Sequence, residues 1–280
     1  MTTVLLTGAT GFVGMQIFKA LVVLGARVVP VVRLGKESSI RTFDNVDRVV
    51  SSPDIFQESV EWWTEQCDRV DTVIHAAWYA EAGKYLMSHR NMDCLIGSLN
   101  LAKGATFAGV KRFVGIGTCF EYDLAATILS IHTPLNPMTP YASAKAALYM
   151  GLSKWLSEQL VEFAWCRLFY LYGEGEDERK LVSYLHKQLA DEKEVELTSG
   201  IQIRDFLDVS EAGEVIARLA LSKQKGPINV CSGVPITVRQ LAEQIADNYD
   251  RRGLLKFGAR PDNLIDPPCV VGIPNYNVTR

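Results

Sequence analysis

Close to its start the chain reads Thr7-Gly8-Ala9-Thr10-Gly11-Phe12-Val13-Gly14, with glycines at GxxGxxG spacing directly after the apolar run Thr3–Thr7. Glycines in such a loop let the backbone turn sharply and come close to a pyrophosphate. A helix opening there adds free N–H groups and the positive end of its dipole. Glycine spacing alone is weak evidence, and a glycine-rich turn without a ligand is the competing reading. The strand–loop–helix context turns the spacing into a dinucleotide-binding fingerprint. Gly8, Thr10, Gly11, Phe12, Val13 and Gly14 are therefore expected against a cofactor.

The segments that follow extend this pattern. Strands are expected over Thr3–Thr7, Arg27–Arg33, Arg48–Ser51 (weakly), Thr72–Ala76, Arg112–Gly117 and Ala164–Phe169. Helices are expected over Gly14–Leu24, Met92–Ala108 and Tyr141–Phe163, the last started by Pro140. Alternation of this kind predicts an α/β fold, a Rossmann-type doubly wound parallel sheet. Regularity fades after Tyr172. A helix over Leu181–Ala190, short strands at Val195–Leu197 and Ile203–Leu207, and a helix over Ile236–Asp247 opened by Thr237 suggest a small C-terminal lobe. The expected division is 1–172 for the dinucleotide-binding domain, with 200–233 partly returning to it, and 173–280 for the substrate lobe. The stretch from Ala259 onward is proline-rich and aperiodic. Trp62 and Trp63 sit in an expected helix far from the strand ends and read as packing.

Composition narrows the function classes. The 280 residues are 48% hydrophobic and 22% charged, with a net charge of −3, so a globular core is expected and nucleic acid is not a partner. No apolar run approaches the roughly 20 residues of a membrane span, and the N-terminus lacks a signal peptide's basic region. The six cysteines are scattered, without CxxC or histidine at ligand spacing, so they read as reduced thiols of a cytoplasmic protein with no metal site.

Two further features carry chemistry. The second strand ends Val31-Val32-Arg33, and Glu37 is the first acid after it. An acid about 20 residues past the loop favours NAD and an arginine favours NADP, so Arg33 points to NADP(H), with NAD(H) as the alternative. Tyr141-Ala142-Ser143-Ala144-Lys145 sets tyrosine and lysine on one helix face. A neighbouring ammonium is expected to move the phenol toward the working pH range of an acid–base catalyst. Thr118 follows the fifth strand, at the carboxyl end where ligands of open α/β sheets bind, and can share a substrate oxygen with Tyr141.

With these motifs in order, the chain resembles the extended short-chain dehydrogenase/reductase family, the NAD-dependent epimerase/dehydratase group acting on nucleotide sugars. The resemblance runs from Val4 to about Ser232. Its marks are TGATGFVG, HAA at His75–Ala77, Asn91, Thr118, YASAK, RLFYLYG at Arg167–Gly173, RDF at Arg204–Phe206 and NVCSG at Asn229–Gly233. It implies that Asp54 and Ile55 flank the adenine, that His75, Ala76 and Ala77 wall the ribose, and that Lys145 also holds the nicotinamide ribose. It places Arg204, and less firmly Arg260, at the substrate phosphates. It implies a homodimer through the Tyr141 helix, whose apolar residues cover more than one face.

Departures from the family select the reaction. Sugar dehydratases of this group carry Asp-Glu directly after the threonine, where this chain has Cys119 and Phe120, substrate-facing but without a carboxylate. Glu121 stands one position off and points elsewhere if the segment is extended. The usual asparagine before YG is also replaced. The pattern looks most like the 4-ketoreductases of deoxysugar pathways, implying NAD(P)H-dependent reduction of the C4 ketone of a nucleotide-linked 4-keto-6-deoxysugar by Thr118, Tyr141 and Lys145. A nucleotide-sugar 4-epimerase with tightly bound NAD uses the same residues. A non-catalytic dinucleotide-binding regulator is the reading from another class.

Overall fold

A computed structural model describes residues 1–40, 45–263 and 266–277. The chain begins with β1 (Thr3–Thr7), α1 (Phe12–Val23), β2 (Arg27–Arg33), β3 (Val50–Ser52), α2 (Val60–Gln66), β4 (Thr72–His75), α3 (Arg90–Phe107) and β5 (Arg112–Thr118). After the short β6 (Ile128–Leu129) come α4 (Pro140–Glu158), β7 (Glu162–Leu168) and β8 (Tyr170–Tyr172). The remainder holds α5 (Leu181–Ala190), β9 (Val195–Leu197), β10 (Ile203–Asp208), α6 (Val209–Leu221) and β11 (Gly226–Val230). It closes with β12 (Pro235–Thr237), α7 (Val238–Asp247), β13 (Leu255–Phe257) and β14 (Cys269–Gly272).

The main sheet has seven strands in the order β11-β7-β5-β4-β1-β2-β3, all pairings parallel. Such a sheet must be covered on both faces, so its strands read as unbroken apolar runs. The two-residue period then sorts the side chains. Val4, Leu6, Val28, Ile74 and Ile116 face α1 and α6, whereas Leu5, Val29, Val73, Phe113 and Trp165 face α2, α3 and α4. Small residues let the helices close in. A Cβ on Gly213 of α6 would lie 2.6 Å from the backbone of Gln16 on α1, and one on Gly104 of α3 would lie 2.5 Å from Cβ of Trp63. Trp63 is buried there, as its packing role requires.

A second sheet, β12-β10-β14-β6, draws strands from widely separated stretches, and β8 joins it through β10. The pair β13-β9 forms a separate two-stranded sheet. α5 and α7 pack with these short strands around Leu185, Leu189, Val195 and Leu241.

Several boundaries differ from the sequence reading. α4 stops at Glu158, and β7 starts at Glu162 rather than Ala164. The turn between them runs through Leu160 at φ 58°, a left-handed residue with no glycine or proline to announce it. α6 and β11 were not expected as elements. Both return to the main sheet, α6 beside α1 and β11 at the edge next to β7. Part of the aperiodic tail is strand β14.

Candidate functional site

The glycine loop folds as its spacing demands. Gly8 takes φ +71°, and a Cβ there would sit 2.9 Å from the backbone of Ala77. The Gly11 N–H donates to the Gly8 carbonyl at 2.9 Å, and Gly11 caps α1 with no side-chain hydrogen bond. The first turn of α1 therefore keeps its N–H groups for a ligand. A Cβ on Gly14 would lie 2.0 Å from the Gly8 carbonyl oxygen, so helix and loop touch directly. A backbone cradle without side chains, at an uncapped helix start, suits a diphosphate.

This loop forms one end of a cavity of about 990 Å³. Gly8, Thr10, Gly11, Phe12, Val13, Gly14, Arg33, Asp54, Ile55, Ala76 and Ala77 all line it, joined by Lys36 and Arg90. Arg33 is exposed at the end of β2, while Asp54 pairs with Arg90 at 3.1 Å. His75 is the exception among the expected cofactor residues. It stands behind the wall, its Nδ1 2.8 Å from the Thr7 hydroxyl and its Nε2 2.7 Å from that of Ser98. Burial pushes its pKa down to about 3, the Lys145 charge adding to the effect, so it is a neutral tie between β1 and α3.

The other end of the cavity is lined by Thr118, Cys119, Phe120, Tyr141 and Lys145. Thr139 caps α4 by accepting the Ala142 N–H at 3.2 Å, and Pro140 occupies the first turn. Tyr141 and Lys145 then share one face a turn apart. Thr118 ends β5 with its hydroxyl beside the Tyr141 phenol, which it helps to hold down in pKa. Lys145 donates to the Ile116 carbonyl at 2.6 Å, and its Nζ sits 3.9 Å from the centre of the Trp78 ring. Burial pushes the ammonium down to about 7, opposed by Glu121 and Cys94.

The expected lowering of Tyr141 by Lys145 is not what the structure has. Burial pushes the phenol well above its ordinary value, and Tyr85, Glu121 and Cys119 push the same way. Lys145 is engaged with Ile116 and Trp78 instead. Tyr141 is accordingly a neutral phenol at neutral pH, in the form that donates a proton.

The sequence reading missed an aromatic wall around Tyr141. The Tyr85 ring meets it edge-on at 4.8 Å and the Trp78 ring at 6.4 Å. Trp78 is pinned by its Nε1–H, which donates to Asn91 Oδ1 at 2.8 Å. The buried Asn91 in turn donates to the carbonyls of Tyr85 at 2.7 Å and Ser88 at 2.8 Å. Tyr170 and Phe206 continue the wall, and Lys180 brings a cation to it. The only local signal was the aromatic cluster following the HAA motif, Trp78, Tyr79 and Tyr85.

Three further expectations are corrected. Residues Cys119–Glu121 form a 3₁₀ turn rather than an extended segment, and Glu121 turns inward, fully buried, away from the cavity. Arg204 and Arg260 stand outside the cavity wall. Arg204 is buried, stacks on Tyr170 at 5.2 Å and lies 3.9 Å from Asp266. Arg260 lies on the surface against the Tyr184 hydroxyl at 3.2 Å and Glu196 at 3.8 Å. The neighbouring Asp205 is structural: its carboxylate accepts the N–H groups of Ser232, Gly233 and Gly272 at 2.8, 3.0 and 3.1 Å. Among the described residues no three His, Cys, Asp or Glu side chains gather to hold a metal, and no helix is long and apolar enough to cross a membrane.

Known proteins are similar to this chain. The dTDP-6-deoxy-L-talose 4-dehydrogenase (NAD(+)) of Aggregatibacter actinomycetemcomitans is 27% identical over 280 aligned residues, 96% of this chain and 98% of that protein. The GDP-6-deoxy-D-mannose reductase of Pseudomonas aeruginosa is 28% identical over 165 residues, 55% of this chain and 54% of that one. The UDP-N-acetylglucosamine 4-epimerase of Methanobrevibacter ruminantium superposes with a TM-score of 0.83 at 20% identity, over 98% of this chain and 89% of that one, which supports the fold alone. The family description "NAD dependent epimerase/dehydratase family" matches residues 4–231, so the chain belongs to that family and is an NAD(P)-dependent oxidoreductase.

Proposed function

We propose that the protein reduces the C4 ketone of a nucleotide-linked 4-keto-6-deoxysugar with NAD(P)H. The observation that carries this reading is the convergence of Thr118, Tyr141 and Lys145 at one end of a cavity whose other end is the glycine cradle. The glycine cradle would hold a nicotinamide dinucleotide, which when bound would supply the hydride. Tyr141, neutral and shielded, gives its proton to the developing alkoxide. Thr118 shares the same oxygen, and Lys145, poised near neutrality, restores the proton of Tyr141 and holds the cofactor ribose. Cys119 and Phe120 put no carboxylate directly after Thr118, where water elimination would need one. The names of the two curated relatives, a 4-dehydrogenase and a reductase of 6-deoxysugar nucleotides, support an oxidation–reduction at such a sugar.

NADP(H) is the favoured cofactor, because Arg33 and Lys36 offer cations at the end of β2 while Asp54 is engaged by Arg90. Residues 173–280, with α5, α7 and the β9–β13 pair, form the substrate lobe, and 1–172 with the returning α6 and β11 form the dinucleotide domain, the second sheet drawing β6 and β8 from the latter and β12 and β14 from the former. A homodimer through α4, the Tyr141 helix, is supported by Met150, 60% exposed on it, and by the exposed apolar side chains Met92, Ile96 and Phe107 (48%, 58% and 65%) of α3, which packs against α4.

The test follows reduced-cofactor absorbance with NADPH or NADH and a nucleotide-linked 4-keto-6-deoxysugar. Sugar-dependent oxidation that falls by about 10²- to 10⁴-fold in Tyr141→Phe is expected. No net oxidation by the wild-type protein would sink the reductase reading, and NAD that survives gel filtration would replace it with the epimerase.

A further inference from the structure

Beneath the cavity floor lies a charged network that the proposed reaction does not use. Glu121 and Arg167 form an ion pair at 2.7 Å with side chains 0% and 1% exposed. Such a pair is costly to desolvate and contributes little net stability compared with apolar packing. Its geometry is nevertheless elaborate. Glu121 Oε1 accepts the backbone N–H of Thr118 at 2.9 Å, and the Trp165 indole N–H reaches both carboxylate oxygens at 3.0 Å. Arg167 donates to the Tyr122 hydroxyl at 3.0 Å, which donates to Asn229 at 2.7 Å. Two strand glycines make room for it. A Cβ on Gly115 would lie 2.4 Å from the Trp165 ring, and one on Gly117 would lie 2.4 Å from Glu121 Oε1.

Every partner of the Glu121 carboxylate is a donor, the environment of an ionised acid. Two of its partners, Trp165 and Arg167, stand on β7, and the third is the N–H of the residue whose hydroxyl faces Tyr141. Glu121 and Thr118 form a reciprocal capping box, in which Thr118 also accepts the Phe120 N–H at 3.3 Å. The turn that aims the Thr118 hydroxyl is thereby clamped to the sheet.

Resting on the reductase reading above, we infer that Glu121 is a positioning residue for the reaction: it fixes the turn of Thr118 and sets a buried negative charge behind Tyr141 and Lys145. The charge acts on both groups in the same direction, raising each pKa. The other groups facing them are Tyr85 before α3, Cys94 on α3, Cys119 after β5 and His75 on β4. All four are neutral at pH 7; burial pushes the Glu121 carboxyl up, but the Arg167 guanidinium at 2.7 Å and its donor-only surroundings hold it as the carboxylate of that set.

The test compares Glu121→Gln, Glu121→Asp and the double variant Glu121→Gln/Thr118→Ala with wild type and Thr118→Ala. Glu121→Gln lowers kcat by about 10- to 100-fold with the cofactor KM unchanged, and its pH–rate profile moves to lower pH. Glu121→Asp keeps the charge but withdraws from the Thr118 N–H, so kcat falls without displacement of the profile. In the Thr118→Ala background the part of the Glu121→Gln effect on kcat that runs through the turn disappears, so the two losses are less than additive, while the displacement of the pH–rate profile persists. Additive effects, or a Glu121→Gln profile that stays in place, would overturn the inference. If Glu121→Gln does not fold, wild-type kcat in Glu121→Asp overturns it. Should the wild-type protein prove inactive on the ketone, the reductase reading falls and a separate readout decides: the ¹³Cε resonance of Lys145, assigned by its loss in Lys145→Met. In Glu121→Gln its titration moves to lower pH than in wild type. An unmoved midpoint refutes the role of Glu121.

Discussion

Replacing Gly14 by alanine puts the contact between loop and helix to a quantitative test. The added methyl would lie 2.0 Å from the Gly8 carbonyl oxygen and 2.7 Å from its carbon, both backbone atoms that cannot rotate away. Relief to an ordinary contact needs a separation of well over an ångström. α1 has little freedom to supply it, because Gly213 of α6 already sits against Gln16 on its other side. Overpacking of this kind costs about 1–3 kcal/mol, and a backbone–backbone clash belongs at the upper end. Alanine regains about 1 kcal/mol of helix propensity over glycine. The net loss is therefore about 2 kcal/mol, a fall in Tm of about 4–8 °C for a domain of this size. Cofactor binding suffers separately. Moving α1 off the loop withdraws at least one N–H from the diphosphate, a charge-assisted bond of about 1.5–3 kcal/mol, or about 10- to 150-fold in Kd. Thermal melts and NADPH fluorescence titration measure the two terms. A variant that melts within about 1 °C of wild type and keeps its Kd refutes this account of the third glycine.

Other expectations follow from the same structure. His75 has a folded pKa of about 3 against an ordinary value of 6.5. The unfolded chain therefore binds the extra proton first, and stability falls as pH drops from about 6.5 toward 3, by at most about 1.4 kcal/mol per unit. A His75→Gln variant should show a flatter Tm–pH curve in that window, and an unchanged slope would contradict the assignment. Ile96→Glu on the exposed stripe of α3 should convert a dimer to monomers by light scattering, while an unchanged mass would remove that face from the assembly. Arg33→Ala should raise the KM for NADPH by about tenfold or more while leaving that for NADH within about twofold. Equal effects on both would point to a surface role for the arginine.

Much of the fold could be read in the sequence because parallel strands buried on both faces leave continuous apolar runs. Thr3–Thr7 and Arg27–Arg33 end where the reading put them, and Gly8, Gly11, Gly14, Tyr141, Lys145 and Thr118 meet at one cavity. What was missed has physical causes. The end of α4 is set by Leu160 in a left-handed conformation, which residue type does not advertise. His75 and Arg204 carry polar heads that suggest ligands, yet His75 is tied to Thr7 and Ser98 inside the protein and Arg204 is buried against the Tyr170 ring. Glu121 was expected to point aside along an extended segment, and only the 3₁₀ turn reveals that it reaches back to Thr118 and across to Arg167. Long-range burial of this kind leaves no local periodicity to read.

The Asp205 carboxylate has a consequence for how the chain reaches its native state. Its acceptors gather the loop after β11 and the backbone of β14, while β14 itself pairs with β6, more than a hundred residues earlier. Contacts of such sequence separation form late, because a long loop must close before any of them is gained. During synthesis the first five strands and their helices can associate while still tethered. β11 must then be added at the edge of the main sheet, and β6 and β8 wait for β10 and β14 to emerge. β14 thus closes the second sheet on β6, and Asp205 ties β14 to the loop after β11, so a nascent chain lacking Cys269–Gly272 would leave that sheet open beside a main sheet already able to form.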